Sequence, residues 1–322
     1  MRYINKLTII LTASLMLFWI NASAQSDFRV TLLGTGSPIP RIDRFGPATL
    51  VEVGDQELLF DVGRGATQRL MQVGTPLSAI DAVFITHLHS DHVNGLPDLW
   101  MTGWLPASWN FGGRQGPFEV WGPIGTQSML DHLEMAYEAD INIRIMDQFL
   151  PPEGIDTLAH EFNQDGVIYS NNGVVVTAFA VEHGELIKPA FGYRIDYNGR
   201  SVVISGDTRY DENLIAASQG ADLIIHEVVL ASDELFASSE QIRRIVDHHT
   251  TPEEAGTVFN QINPKLAVYS HLVMLSNQVI PEEPLENLLI RTRTNYDGPL
   301  VIGEDLMSFV IDDNVTLFSR MP

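Results

Sequence analysis

The apolar positions of this chain fall into short runs with two different periods. Residues 28–33 (FRVTLL) make an apolar run that ends at Gly34-Thr35-Gly36-Ser37-Pro38, the pattern of a strand entering a tight loop. Residues 48–53 and 57–62 read as a hairpin about Gly54-Asp55, and 82–86 (AVFIT) as a buried strand. Further strands are predicted at 118–121, 173–181, 192–197, 201–205, 223–226 and 266–270, with a last pair at 300–302 and 307–311. Asn198-Gly199 is a strong signal for a two-residue hairpin. Helical spacing covers 66–73, 96–104, 127–139, 212–219, 236–246, 252–261 and 284–293. The strands come in two sets, each followed by helices. This predicts an α/β fold of two sheets packed face to face, with helices outside and the functional residues on loops at one sheet edge.

The first 24 residues follow another plan. Arg2 and Lys6 precede an apolar run over 7–20, and Ala22-Ser23-Ala24 is a small-x-small site. This predicts a signal peptide (1–24) cut after Ala24, a domain over 25–322, and a periplasmic or secreted protein free of the membrane after cleavage. With no cysteine in the chain, a lipid anchor at the cut and thiolate ligands are both excluded. The formal charge is −22, and cleavage makes it two units more negative. A surface that acidic repels phosphate backbones, so nucleic acid is not expected as a partner.

The candidate chemistry is concentrated at the end of the 82–86 strand. His87-Leu88-His89-Ser90-Asp91-His92 puts three of the chain's ten histidines in six positions. A chain that leaves a strand and turns can aim residues 87 and 89 at one metal ion and 91 and 92 at a second. Mixed imidazole and carboxylate ligands suit zinc, and manganese or iron(II) can use the same set. One loop cannot close two coordination shells. Three more candidates sit where β-runs stop: His183, Asp207 and His271.

With these motifs the chain resembles the metallo-β-lactamase fold superfamily. The shared elements are LLGTGSP at 32–38, Asp61-x-Gly63, the THLHSDH loop, Glu182-His183-Gly184, Gly206-Asp207-Thr208 and Ser270-His271. The resemblance implies an αββα sandwich and a two-zinc site. One ion would take His87, His89, His183 and Asp207; the other would take Asp91, His92, Asp207 and His271. A bridging water or hydroxide would be the nucleophile, oriented by Asp91. The GTGSP loop, His226-Glu227 and the stretch His249-Thr250-Thr251 look like the ribonuclease Z branch, although Val228 and Val229 depart from its H-E-A-T pattern. In that branch Glu227 would orient His249, which would protonate the leaving group.

Only 24 positions separate His183 from Asp207, too few for the tRNA-binding arm of that branch. With the acidic charge and the leader, this spacing points to exported arylsulfatase-like relatives acting on small sulfate or phosphate esters. The alternatives on the same site are a β-lactam or lactone hydrolase and a phosphodiesterase or ribonuclease Z-like nuclease. Trp100 and Trp104 are expected to wall an aryl pocket or to be core, Arg209 to meet an anionic ester or lie free on the surface, and Asp61 to hold a ligand imidazole or cap a turn. His132 and His160 carry no assignment. A homodimer is left open.

Overall fold

The protein is described here by a computed structural model covering residues 27–319, except 107, 109 and 110. The leader expected at 1–24 lies outside the described residues. The chain opens with β1 (Phe28–Gly34), β2 (Ala48–Val53), β3 (Gln56–Phe60), helix α1 (Ala66–Val73), β4 (Ala82–Phe84), the short α2 (Ser90–Val93), α3 (Leu96–Trp104), β5 (Phe118–Pro123), α4 (Thr126–Gln148) and β6 (Thr157–Phe162). The second half runs β7 (Gly166–Asn171), β8 (Val174–Ala180), β9 (Phe191–Tyr197), β10 (Arg200–Ile204), α5 (Glu212–Ala217), β11 (Leu223–Leu230), α6 (Asp233–Ser238), α7 (Glu240–Val246), α8 (Pro252–Ile262), β12 (Leu266–Met274), α9 (Glu286–Thr292) and β13 (Leu300–Ile302). Then β14 (Ser308–Ile311) and β15 (Val315–Phe318) return to the first sheet. The sheet orders are β15-β14-β1-β2-β3-β4-β5-β6 and β13-β12-β11-β10-β9-β8-β7.

Side-chain alternation explains why these sheets need partners on both faces. Leu58 and Phe60 point to the layer between the sheets, where Phe84, Tyr193, Val202, Leu223 and Ile225 also lie. Leu59 points the other way, with Val83, to meet Trp100, Trp104 and Leu70 of the outer helices. On the second sheet Ile224 and Val203 face Leu214, Val258 and Phe259. Strands buried on both faces are apolar at nearly every position: β4 is an unbroken apolar run, and β11 is broken only by His226-Glu227. Phe60 and Phe84 stack at 4.7 Å in the middle layer. Truncating either to alanine would cost about 3–5 kcal/mol. The expected α/β sandwich of two sheets and outer helices is the observed architecture.

The parallel part of the second sheet sets up the site. Val202, Leu223 and Leu266 stand in register across β10, β11 and β12, so these strands end at the same edge. The end of β4 faces this edge from the first sheet: the Phe191 N–H donates to the Thr86 carbonyl at 3.0 Å. Two short helices, α6 and α7, stand where one was expected over 236–246. Ser239 separates them, extended and capping α7 by accepting from the Ile242 N–H.

Candidate metal centre

The strand β4 delivers Thr86 and His87 to this edge, and the turn into α2 carries His89, Asp91 and His92. The Nε2 of His87 lies 2.9 Å from the Nδ1 of His89, which is 3.3 Å from the Nε2 of His183. The Asp207 Oδ2 is 3.8 Å from His87 Nε2 and 3.6 Å from His183 Nε2. The same oxygen is 3.3 Å from His92 Nε2 and 3.4 Å from His271 Nε2. His271 Nε2 is 3.2 Å from an Asp91 oxygen. Asp207 therefore stands between two donor sets. Each set, His87–His89–His183–Asp207 and Asp91–His92–His271, holds its donor atoms within 4.8 Å of one another.

The outer ring atoms decide which way the inner ones face. Asp61 Oδ2 is 2.7 Å from His92 Nδ1, and a carboxylate can only accept, so Nδ1 carries the proton and Nε2 keeps a lone pair toward the centre. The His248 carbonyl does the same for His183 Nδ1 at 2.9 Å. Asp61 is itself fixed by the N–H of Thr86 at 2.9 Å. Lone pairs that converge at these distances repel unless a cation sits among them. Among the described residues, buried His92 Nε2 and Asp207 Oδ1 are without a hydrogen-bond partner. Nitrogen and oxygen donors left unsatisfied in a dry cluster fit a divalent ion of the zinc type.

Local backbone features aim these side chains. On β12, Ser270 and His271 together oppose the single Glu227 of β11, and His271 has φ of 42°. That bulge turns His271 out of the strand alternation toward the site. Gly206, before Asp207, has φ of 62°, and a Cβ there would sit 2.4 Å from the Phe191 carbonyl oxygen. Only glycine lets the Asp207 loop approach β9 so closely.

Charge interactions are strong. For Asp207, burial raises the carboxyl, but the imidazoles of His271 and His92 outweigh it and hold the group well below its usual range. Burial keeps His87 well below the usual imidazole value. Burial, aided by the charges of His249 and His89, takes His183 down to about 4, which favours the neutral ring a metal needs. His249 behaves in the opposite way. Burial would lower it, but the Glu227 carboxylate, with Asp207 behind it, lifts it to about 9. Glu227 Oε2 is 3.2 Å from His249 Nδ1, and its other oxygen accepts from the Thr250 and Thr208 amides at 2.9 and 3.3 Å. One buried carboxylate thus ties the His249 loop to the Asp207 loop.

All seven expected ligands, with Asp61, Glu227 and His249, meet at this edge. The tryptophans do not. Trp100 and Trp104 are buried among the outer helices and donate to the Ile155 and Pro151 carbonyls at 2.9 and 2.8 Å. Their i, i+4 spacing marks the inward face of α3, so they are core and wall no substrate pocket. His132 contacts the Ser128 carbonyl on α4, and His160 stacks on Trp121 at 4.0 Å; neither reaches the centre. Arg209 is exposed and borders a cleft with His249 and Arg291. Thr86 and the His248 carbonyl, both holding ligand rings, were not foreseen. Thr86 adjoins the motif but has no spacing that marks it, and a backbone carbonyl leaves no trace in sequence.

Residues 57–272, which contain the whole donor set, match the family model described as a beta-lactamase superfamily domain. The chain is 34% identical over 280 residues to ribonuclease Z of Mycobacterium bovis (strain BCG / Pasteur 1173P2), covering 86% of this chain and 96% of that protein. It is 34% identical over 282 residues to ribonuclease Z of Mycobacterium marinum, again over 86% and 96%. Among solved structures, the fold is similar to the short form of human tRNase Z (TM-score 0.63, 23% identity, 87% of this chain and 98% of that one). It is also similar to the metallo-beta-lactamase fold protein YhfI of Bacillus subtilis (TM-score 0.64, 20% identity, 87% and 98%).

These relatives overturn two expectations. The sulfate-ester reading gives way, because proteins aligned with this chain over nearly their full length are named ribonucleases. The exclusion of nucleic acid falls with it. It rested on a net charge, which sums the whole surface, whereas a substrate meets only the potential near the site. The clefts nearby mix both signs: Arg41, Arg44 and Arg64 line one with Asp98, and Arg209 and Arg291 line another with Asp233, Asp247 and Glu254.

Proposed function

We propose, for a chain that belongs to the metallo-β-lactamase superfamily, a ribonuclease Z-like activity: metal-dependent hydrolysis of phosphodiester bonds in RNA, with tRNA precursors as the substrate class. The observation that carries the reading is the pair of donor sets meeting at Asp207 with the Glu227–His249 pair beside them, in a chain that aligns with ribonuclease Z over 86% of its length. His87, His89, His183 and Asp207 would hold one ion, and Asp91, His92, His271 and Asp207 the other. Zinc suits these donors, and manganese or iron(II) would also accept them. When bound, two such ions supply Lewis-acid charge for the phosphoryl oxygens and make water acidic enough to attack near neutral pH.

The chain's own residues do the rest. Asp61 and the His248 carbonyl hold their imidazoles in one tautomer, so the donors face inward before substrate arrives. Asp207 Oδ2 keeps both donor sets in a fixed relation. His249, held protonated by Glu227 and 5.0 Å ring to ring from His183, is placed to give its proton to the leaving ribose oxygen. Glu227 then stabilises the imidazole by accepting from Nδ1, so the proton delivered comes from Nε2.

A cleavage assay tests the reading. Zinc-loaded protein is given a 3′-extended tRNA precursor and, separately, p-nitrophenyl sulfate, with Asp207→Ala as control. RNA cleavage that disappears in the control is expected. Intact RNA under conditions where the protein holds zinc would remove the reading. The export signal is a separate proposal about place.

A further inference from the structure

One wall of the metal centre continues into an apolar recess. Leu88, between ligands His87 and His89, turns away from the centre and is 39% exposed. Gly125 makes room for it: a Cβ there would lie 2.9 Å from the Leu88 Cδ1. Ile124, 53% exposed, forms the next wall. Across the gap runs the 184–189 loop, whose Leu186 is 98% exposed, with Lys188 next to it. His89 closes the inner end. The recess measures about 210 Å³. That is smaller than the roughly 300–1,000 Å³ of pockets that enclose a drug-sized ligand, and it suits a single ring system.

Three aliphatic side chains held open to water beside a metal ligand are not packing residues. They cost hydration free energy until something apolar covers them. The occupant must be apolar on its faces and joined to whatever reaches His89. From this we infer that the recess seats the base of the nucleotide next to the scissile phosphate, with Leu186 and Ile124 on its faces. The inference rests on the ribonuclease reading and names the subsite it requires. A base has a flat face for aliphatic contact and is tied to a phosphate by its ribose, so one nucleotide spans recess and centre. Lys188 adds the charge expected for a flanking phosphate. Its Nζ is 3.2 Å from Glu182, an exposed pair that surrenders little when the ammonium turns to an anion. Apolar contact of this kind tolerates any base, and burying the face of one ring against aliphatic side chains is worth about tenfold in affinity.

The test is a ratio of affinities, measured by calorimetry on zinc-loaded protein with adenosine 5′-monophosphate and ribose 5-phosphate. The wild type should bind the nucleotide about tenfold tighter than the sugar phosphate. Leu186→Ser should bring the ratio toward one, and Leu186→Met, which keeps an apolar side chain, should preserve it. A wild-type ratio near one overturns the inference, as does a ratio untouched by both Leu186→Ser and Ile124→Ser. RNA cleavage measured on the same samples separates the two claims. Cleavage with a ratio near one keeps the function and removes the subsite. A tenfold ratio without cleavage keeps a nucleotide subsite and removes the ribonuclease.

Discussion

His249 shows how much one neighbour changes a side chain. Buried beside His183 and His271 alone, it would lose its proton; with Glu227 at 3.2 Å it holds one up to a pH of about 9. An acid earns its place only when the leaving group needs protonation. His249→Ala should therefore lower kcat on RNA by about 10²–10⁴, and on bis-p-nitrophenyl phosphate, which releases a stable phenolate, by far less. Equal losses on both would make His249 structural. Asp61 invites a second test. Asp61→Asn frees the His92 ring to rotate, and zinc affinity, read by competition with a chelator, should fall about 10–100-fold. Unchanged affinity would reduce Asp61 to a turn residue. At this scale the convergence of the seven donor side chains was legible, because metal binding calls for particular residue types at particular spacings. The roles of the tryptophans were not, because an i, i+4 pair marks a helix face without saying what that face meets.

At the scale of elements, the middle strands of the first sheet carry a conflict of charge. Glu52 of β2 stands directly opposite Glu57 of β3, and Arg29 of β1 is opposite Glu52. Arg29 compensates Glu52 at 3.8 Å, and Glu57 is left with Asp81 nearby. Burial, then Glu52 and Asp81, raise the Glu57 carboxyl to about 7. A folded-state value above the unfolded one means that stability is whole below about pH 4.5 and declines as pH rises toward 7. Glu57→Gln removes the late charge. At face value the effect is about 3 kcal/mol, and solvent screening at this half-buried site cuts it to ~1. Thermal melts should show the variant about 2 °C above wild type at pH 8 and level with it at pH 4.5. A constant difference would show that charge is not the cause. Strand and helix positions followed the apolar runs closely wherever both faces were buried. They were missed at β6, β7 and β15, edge strands that are exposed or half-buried along their length and so carry no apolar run. The α4 helix extends past 139 to 148, because Ile141-x-Ile143-x-Ile145 alternates like a strand while Ile141 and Ile145 pack inward beside Leu133.

Across the whole molecule, fold and metal chemistry were readable from sequence, and substrate was not. Charge was averaged over a surface that is acidic in sum, while the clefts nearby hold arginines and acids together. Loop length between His183 and Asp207 was weighed as a missing arm, yet relatives named ribonuclease Z align through it. The leader is a proposal that competes with the tRNA substrate, because tRNA precursors are made and processed in the cytoplasm. Expression in a bacterial host should yield a periplasmic protein beginning at Gln25, and an intact Met1 terminus in the cytoplasm would reject export. Among the described residues no helix is long and apolar enough to cross a membrane. On the reading proposed above, donor sets sharing Asp207 hold two ions that enable RNA cleavage. Its most direct test is to titrate zinc into stripped protein, counting ions per chain by native mass spectrometry while cleavage of a 3′-extended RNA is followed in the same samples. The account predicts two ions per chain, one or fewer in Asp207→Ala, and cleavage that rises with the second ion. Two ions bound with the RNA left intact, or cleavage undiminished with none, would contradict it.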